Sequence, residues 1–148
     1  MPVRLQGRRK PPFLLVQALA AVLLVAGCAT GRERPPSAEI SGTVALRAPA
    51  VLLPGTQLRV TLNETSRADA PAEFVAEATV PDVTKMPAAF RIRYDPRAID
   101  PKLVYTLRAR LERFDQLLFV NDAQVPVLTH GAPSRAEIVV VPARGRRD

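Results

Sequence analysis

The hydrophobic pattern from residue 39 onward has a period of two residues. Leu58, Val60 and Leu62 alternate with polar side chains, and the same alternation runs through 90–94 and 103–112. Strict alternation is typical of strands with one buried and one solvated face, as in antiparallel sheets. The segments with this pattern, or with the composition of a short strand, are 40–46, 58–63, 73–80, 90–94, 103–112, 116–120, 125–128 and 137–141.

Turn-forming residues separate these segments. The clearest are Pro54-Gly55, Asp95-Pro96, Asp100-Pro101 and Asn121-Asp122, which are favoured in turns because of their backbone preferences and side-chain hydrogen bonds. No segment has a long helical period, and 96–102 has room for a single helical turn. The sequence therefore predicts an all-β fold, an antiparallel β-sandwich of about eight short strands, with a small closed barrel as the alternative.

Residues 1–27 have the organisation of a signal peptide. A basic stretch is followed by the apolar run Phe13–Ala26, whose 14 residues fall short of the roughly 20 that a membrane-spanning helix needs. Val25-Ala26-Gly27-Cys28 resembles the bacterial lipobox, which implies that the Cys28 thiol receives diacylglycerol and that cleavage and N-acylation follow. Two or more acyl chains anchor a protein stably. The alternative is an ordinary signal peptide that ends in a cysteine by chance.

Cleavage before Cys28 changes the composition of the remaining chain. It removes four of the 21 basic residues and none of the 14 acidic ones, so the net charge falls from +7 to +3. The remaining charges are scattered and Trp is absent, which argues against nucleic-acid binding. The predicted parts are a lipidated N-terminus and flexible tether over 28–38, one β-domain over 39–142 and a basic tail over 143–148.

The candidate chemistry is sparse. His130 is the single histidine and Cys28 the single cysteine, so neither has a companion for catalysis or zinc binding. Asp95 and Asp100 each precede a proline, where aspartate initiates turns. We therefore expect no enzymatic activity, no cofactor beyond the lipid on Cys28, and no bound metal.

The densest polar segment is "TSRADAP", residues 65–71. Loops on rigid β-scaffolds commonly carry recognition, so Ser66, Arg67 and Asp69 form a candidate binding loop. Arg67 could pair with Asp69 or with Asp95. The structural alternative is that these residues fix the loop and the register of the flanking strands.

Several motifs in order carry a family resemblance over about residues 39–142. They are Leu53-Pro54-Gly55, Leu58–Leu62, "TSRADAPA", "PAAFRIRYDP", "YTLRARLE" and Leu128–Pro133. Together they resemble the YbaY-like lipoproteins, which are grouped with the YscW pilotin of type III secretion.

The resemblance implies a β-sandwich lipoprotein in the periplasm of a Gram-negative bacterium. Ala29, the residue after Cys28, implies sorting to the outer membrane. The partner implied is another envelope protein, such as a secretin that the lipoprotein chaperones; the alternative is a glycan or small ligand. The sequence shows no evident feature for holding a partner helix, such as an exposed aromatic side chain or a Met-rich groove. An exposed edge strand or the 65–71 loop is the expected contact.

Replacing Cys28 with Ser removes the thiol that the lipid needs. We expect an uncleaved or mislocalised protein whose β-domain folds normally. Labelling with radioactive palmitate and membrane fractionation measure the first effect, and circular dichroism of the purified variant measures the second. Palmitate incorporation equal to that of the wild type would contradict lipidation at Cys28.

Overall fold

The computed structural model describes residues 37–143, so the predicted signal peptide, Cys28 and nearly all of the tether and basic tail lie outside the described residues. Within them the fold is all-β, as predicted. The strands are β1 (Ala38–Leu46), β2 (Gln57–Glu64), β3 (Glu73–Val80), β4 (Ala88–Tyr94), β5 (Tyr105–Arg113), β6 (Gln116–Val120), β7 (Val125–Val127) and β8 (Arg135–Pro142), with one 3₁₀ turn at Pro96–Ala98 between β4 and β5.

The eight strands form one sheet in the order β3-β2-β5-β6-β8-β1-β4, with β7 paired to β5. The sheet folds over into two layers joined by β8, which pairs with β1 over Arg135–Val140 and with β6 at Val141 and Pro142. The result is a nearly closed, barrel-like sandwich whose two end strands, β3 and β4, are joined by the 81–87 loop.

One pairing differs from the antiparallel arrangement that the sequence predicts, because β1 and β8 are parallel. The physical reason is that β6 and β7 act as one interrupted strand: both run antiparallel to β5, one against its second half and the other against its first. The chain therefore crosses the barrel seven times, and its first and last crossings run in the same direction. The Asn121 side chain bridges the interruption by accepting from the Ala109 amide (2.8 Å) and donating to the Leu107 carbonyl (3.3 Å).

The core follows from the predicted alternation. Leu58, Val60 and Leu62 in β2 are fully buried, and so are Ile92 in β4 and Leu111 in β5. Complete burial of such a side chain contributes roughly 1.5–3 kcal/mol. In the described residues, 17 hydrophobic side chains are buried, so the domain has a core of its own that needs no disulfide.

The barrel has two ends that differ in their loops. We call the end at which β1 begins the entry end and the opposite end the hairpin end. The entry end carries the loops 65–72, 95–104 and 128–134. The hairpin end carries the loops 47–56 and 81–87 and the turn 114–115. A strand of eight residues spans roughly 26 Å at about 3.3 Å per residue. Leu52 and Val83 are buried at the hairpin end, and Tyr105 and Val127 are buried at the entry end.

The aspartates before proline serve the entry-end turns. Asp95 caps the 3₁₀ turn: its Oδ1 accepts from the Arg97 amide (2.9 Å), and its Oδ2 pairs with the Arg97 guanidinium (3.0 Å). These hydrogen bonds with Arg97 hold the pKa of Asp95 below its usual value. Asp100 Oδ1 accepts from the Lys102 amide (2.9 Å). The predicted turn role of both residues is confirmed.

The close approach of β1 to β8 requires glycine at position 42. A Cβ there would lie 1.9 Å from the Ala136 carbonyl oxygen and 2.9 Å from Phe90 Cε1. We expect Gly42→Ala to lower the free energy of unfolding by roughly 1–3 kcal/mol, because the backbones must separate. Chemical denaturation measures it, with the neighbouring Ser41→Ala expected to stay within about 0.5 kcal/mol of the wild type. Equal stability of the two variants would contradict the close approach.

Candidate functional site

The predicted binding loop at the entry end is partly built into the scaffold. The Thr65 amide donates to the Val104 carbonyl (2.8 Å), and the Val104 amide donates to Ser66 Oγ (2.8 Å). The Ser66 amide in turn donates to Glu64 Oε1. Hydrogen bonds from Ser66, with a smaller contribution from the Arg67 charge, hold the pKa of Glu64 below its usual value. Ser66 therefore ties the loop to the segment that enters β5.

The other two predicted residues have a different environment. Arg67 and Asp69 are exposed at the tip of the loop. Asp95, one of the two expected partners of Arg67, pairs with Arg97 instead. The first part of the loop, around Ser66, is therefore hydrogen-bonded to the rest of the fold, and its tip is exposed. A binding role for Arg67 and Asp69 stays a prediction.

The other polar groups of residues 37–143 form no constellation of catalytic type. His130 is exposed in a left-handed backbone conformation, with φ of 54°. Within this range no three His, Cys, Asp or Glu side chains are grouped to hold a metal ion, and each buried side-chain nitrogen or oxygen has a hydrogen-bond partner. The same residues contain no helix of the length and hydropathy needed to cross a membrane.

The hairpin end holds a feature that the sequence analysis missed. Phe114 and Asp115 form the two-residue turn between β5 and β6, and both have positive φ, 48° and 61°. Turns of this kind favour Asn and Gly, whereas a bulky side chain at positive φ is strained. Phe114 is nevertheless 80% exposed, so burial in the core does not account for an aromatic residue at this position.

Contacts to the 53–56 turn hold the Phe114 ring in place. The Arg113 guanidinium lies over it, with Cζ 4.5 Å from the ring centroid, in the geometry of a cation–π interaction. Arg113 Nε donates to the Pro54 carbonyl (2.9 Å). The ring also lies close to Gly55, where a Cβ would be 3.8 Å from it, an ordinary van der Waals distance.

The 53–56 turn is itself rigid. The Leu53 carbonyl accepts from both the amide (3.2 Å) and the hydroxyl (2.7 Å) of Thr56. The Gly55 amide donates to Asp82 Oδ1 (2.8 Å), and the φ of Gly55 is 83°, a value that favours glycine. The turn predicted at Pro54-Gly55 is confirmed, and it connects the 47–56 loop to the 81–87 loop.

Further apolar side chains are exposed beside this turn. Because Leu52 points into the core, its neighbours Val51 and Leu53 point outward and are 88% and 52% exposed. We call Val51, Leu53, Arg113 and Phe114 the hairpin-tip surface. The sequence shows no evident exposed aromatic side chain for holding a partner helix, but the structure exposes two: Phe114, and Phe74 (60%), where a β-bulge shifts the register of β3 against β2.

These observations define a small, nearly closed β-domain with exposed apolar side chains that include Val51, Leu53 and Phe114 at the hairpin end. The model of the family described as type III secretion system lipoprotein chaperone (YscW) matches residues 35–140. The chain belongs to this family, and the family resemblance inferred from its motifs is confirmed.

Two known proteins extend the comparison. The uncharacterized lipoprotein YbaY of Escherichia coli (strain K12) is 33% identical over 106 residues, which are 71% of this chain and 55% of YbaY. The chain thus spans about half the length of this curated relative. An alternative pilotin from the type II secretion system of Vibrio cholerae is 28% identical, with a TM-score of 0.70 over 74% of this chain and 100% of the pilotin. Family and likeness place the chain among lipoproteins of the cell envelope with a pilotin-like fold.

The Glu64–Ser66 contact makes the predicted loop sensitive to pH. The pKa of Glu64 is lowered in the folded protein from its ordinary value of 4.5. The contact therefore stabilises the loop fully at a pH above 4.5 and is lost as the pH falls through the lowered pKa, where the carboxylate takes up a proton. We expect the protection of the Ser66 amide against hydrogen exchange, measured by NMR, to fall as the pH is lowered below 4.5. Glu64→Gln serves as the control that lacks the titration. Protection that stays constant in the wild type at low pH would contradict the contact.

Proposed function

We propose that this chain is a lipid-anchored periplasmic protein of the outer membrane that binds and chaperones another envelope protein, such as the secretin of a secretion system. The observation that carries the proposal is the hairpin-tip surface, because exposed apolar side chains grouped at one place are typical of a protein-binding site. The family description and the likeness to a pilotin support it. Binding of this kind requires no catalytic residue.

The position of the predicted anchor is compatible with such binding. β1 begins at the entry end, so the chain that follows the predicted lipid on Cys28 joins the barrel there. An extended tether over residues 29–37 reaches roughly 30 Å at about 3.1 Å per residue. The hairpin-tip surface lies at the opposite end of the barrel.

Loss of this protein is expected to change where its partner is assembled. In a strain without the gene, the secretin multimer should move from the outer-membrane fraction to the inner-membrane fraction. Immunoblots of separated membranes measure this, and the wild-type gene should restore the distribution while Cys28→Ser should not. An unchanged secretin distribution in the deleted strain would contradict the chaperone role.

A separate substitution tests the predicted sorting of the lipoprotein to the outer membrane. Aspartate after the lipidated cysteine should retain the protein in the inner membrane, so Ala29→Asp is expected to shift both the lipoprotein and the secretin to the inner-membrane fraction. The domain is unchanged in this variant, so the shift would separate the effect of location from that of folding. An Ala29→Asp protein found entirely in the outer membrane would contradict the proposed sorting.

A further inference from the structure

We propose that a polar recess on the outer face of the barrel binds a neutral oligosaccharide, and that one ring of the ligand packs on Phe74. The recess lies on the outer face of β2 and β5, between the 65–72 loop and the 121–124 segment. The inference goes beyond the proposed function and does not rest on it, because the recess shares no residue with the hairpin-tip surface.

The recess is covered by the two segments that flank it. Thr106 lines it from β5. The neighbours Tyr105 and Leu107 are buried in the core, so Thr106 points outward, and yet it is only 8% exposed. The recess has a volume of about 180 Å³. Since a cavity of about 150 Å³ takes up benzene, the recess has room for one six-membered ring.

Both walls of the recess are hydrogen-bonded to the scaffold. The first residues of the 65–72 loop exchange hydrogen bonds with Val104. In the other wall, the Asn121 side chain is bonded to the backbone of β5, and Asp122 accepts two hydrogen bonds from the Arg47 guanidinium (2.8 and 2.9 Å). Walls held in this way lose little conformational entropy when a ligand binds.

The lining of the recess selects a neutral, hydroxyl-rich ligand. Arg108 and Asp122 bring charges of both signs, so the lining does not favour an ion of either sign. The amides of Asn63 and Gln124 and the hydroxyl of Thr106 offer donors and acceptors. An apolar ligand would leave these groups unpaired, which is unfavourable, whereas hydroxyl groups can pair with all of them.

An exposed aromatic ring borders the recess. Phe74 pairs with Asn63 across β2 and β3, and residues paired in this way lie on the same face of a sheet. Phe74 therefore lies on the outer face, beside a residue that lines the recess, and it is 60% exposed. The β-bulge at this place is a device that turns a side chain to a new direction and is common next to active sites.

A saccharide has both surfaces that this arrangement requires. One face of a pyranose ring carries C–H groups, which pack on the face of an aromatic ring. The edge of the ring carries hydroxyl groups, which pair with planar amide and guanidinium side chains. Because Phe74 lies outside the recess and the recess holds one ring, two or more linked sugars are needed to contact both. An oligosaccharide is therefore the ligand that fits.

The test is saturation-transfer NMR on the full lipidated chain in nanodiscs, with maltotetraose, cellotetraose and N-acetylchitotetraose as the neutral probes. We expect at least one probe to bind with a Kd of about 1 mM and to receive most saturation at its C–H protons. The acidic tetragalacturonate should bind no more tightly than the best neutral probe. The proposal would be overturned if no neutral probe receives saturation at about 5 mM, or if the acidic probe binds more tightly.

Substitutions locate the site. Phe74→Ser should raise the Kd about tenfold, the scale of an aromatic contact. Phe114→Ser, the matched control at the hairpin end, should leave the Kd unchanged, since Phe114 is also exposed. Gln124→Ala removes an exposed amide from the lining and should raise the Kd several-fold. Thermal unfolding controls for folding. Equal Kd values for Phe74→Ser and Phe114→Ser would overturn the site.

A peptide segment is the competing occupant, and crosslinking in cells identifies it. With p-benzoylphenylalanine at position 74 of the full chain, we expect no discrete protein adduct on illumination. A discrete adduct at this position, mapped by mass spectrometry to one protein segment, would assign the recess to a protein partner and overturn the proposal.

The outcomes also separate this proposal from the proposed function. Saccharide binding that depends on Phe74, together with an unchanged secretin distribution in the deleted strain, would retain the recess as a binding site and reject the secretion role. A redistributed secretin without saccharide binding would do the reverse.

Discussion

The parallel pairing of β1 with β8 is the interaction on which the rest of the structure depends. It joins the layer of β1 and β4 to the layer of β2, β3 and β5, since β8 pairs with β1 along most of its length and with β6 at its end. The backbones approach so closely at Gly42 that a Cβ would overlap the Ala136 carbonyl. Without this pairing each layer would have an additional open edge, and the two inner faces would not be held around one core.

This junction also determines what each end of the barrel presents. Because the first and last crossings run in the same direction, the chain enters at one end and leaves near the other. The entry end is made of turns whose polar groups are largely used within the fold, such as Ser66 with Val104 and Asp95 with Arg97. At the hairpin end Leu52 and Val83 close the core, and the residues that flank Leu52 are left exposed. The two ends of the described domain therefore present different surfaces, one with polar turns and one with exposed apolar side chains.

Much of the fold could be predicted from local patterns. The alternation in Leu58–Leu62 places the buried face of β2 correctly, and Pro54-Gly55 and Asp95-Pro96 form turns where their chemistry predicts them. The parallel junction could not be predicted, because it depends on the interruption at Asn121 and on pairing between the two ends of the chain. The exposure of Phe74 depends on a β-bulge between Leu62 and Asn63, which the alternation does not reveal.

The candidate site was predicted less well, for reasons that also lie in particular residues. Ser66 is the member of the predicted loop that joins the scaffold because it accepts from Val104, 38 positions along the chain, a contact that sequence spacing cannot show. The exposure of Phe114 could have been predicted, because the predicted strands end at Glu112 and begin again at Gln116. The ring therefore has no buried position in either strand. An aromatic residue in a tight turn without a place in the core is an indication of exposure.

The most direct measurement is hydrogen exchange of the lipidated protein in nanodiscs, with and without the secretin that it is proposed to chaperone. We expect the secretin to slow exchange of amides in 51–55 and 113–117 at the hairpin end and to leave 65–71 at the entry end unchanged. Slower exchange confined to 65–71, or no change at either end, would contradict it.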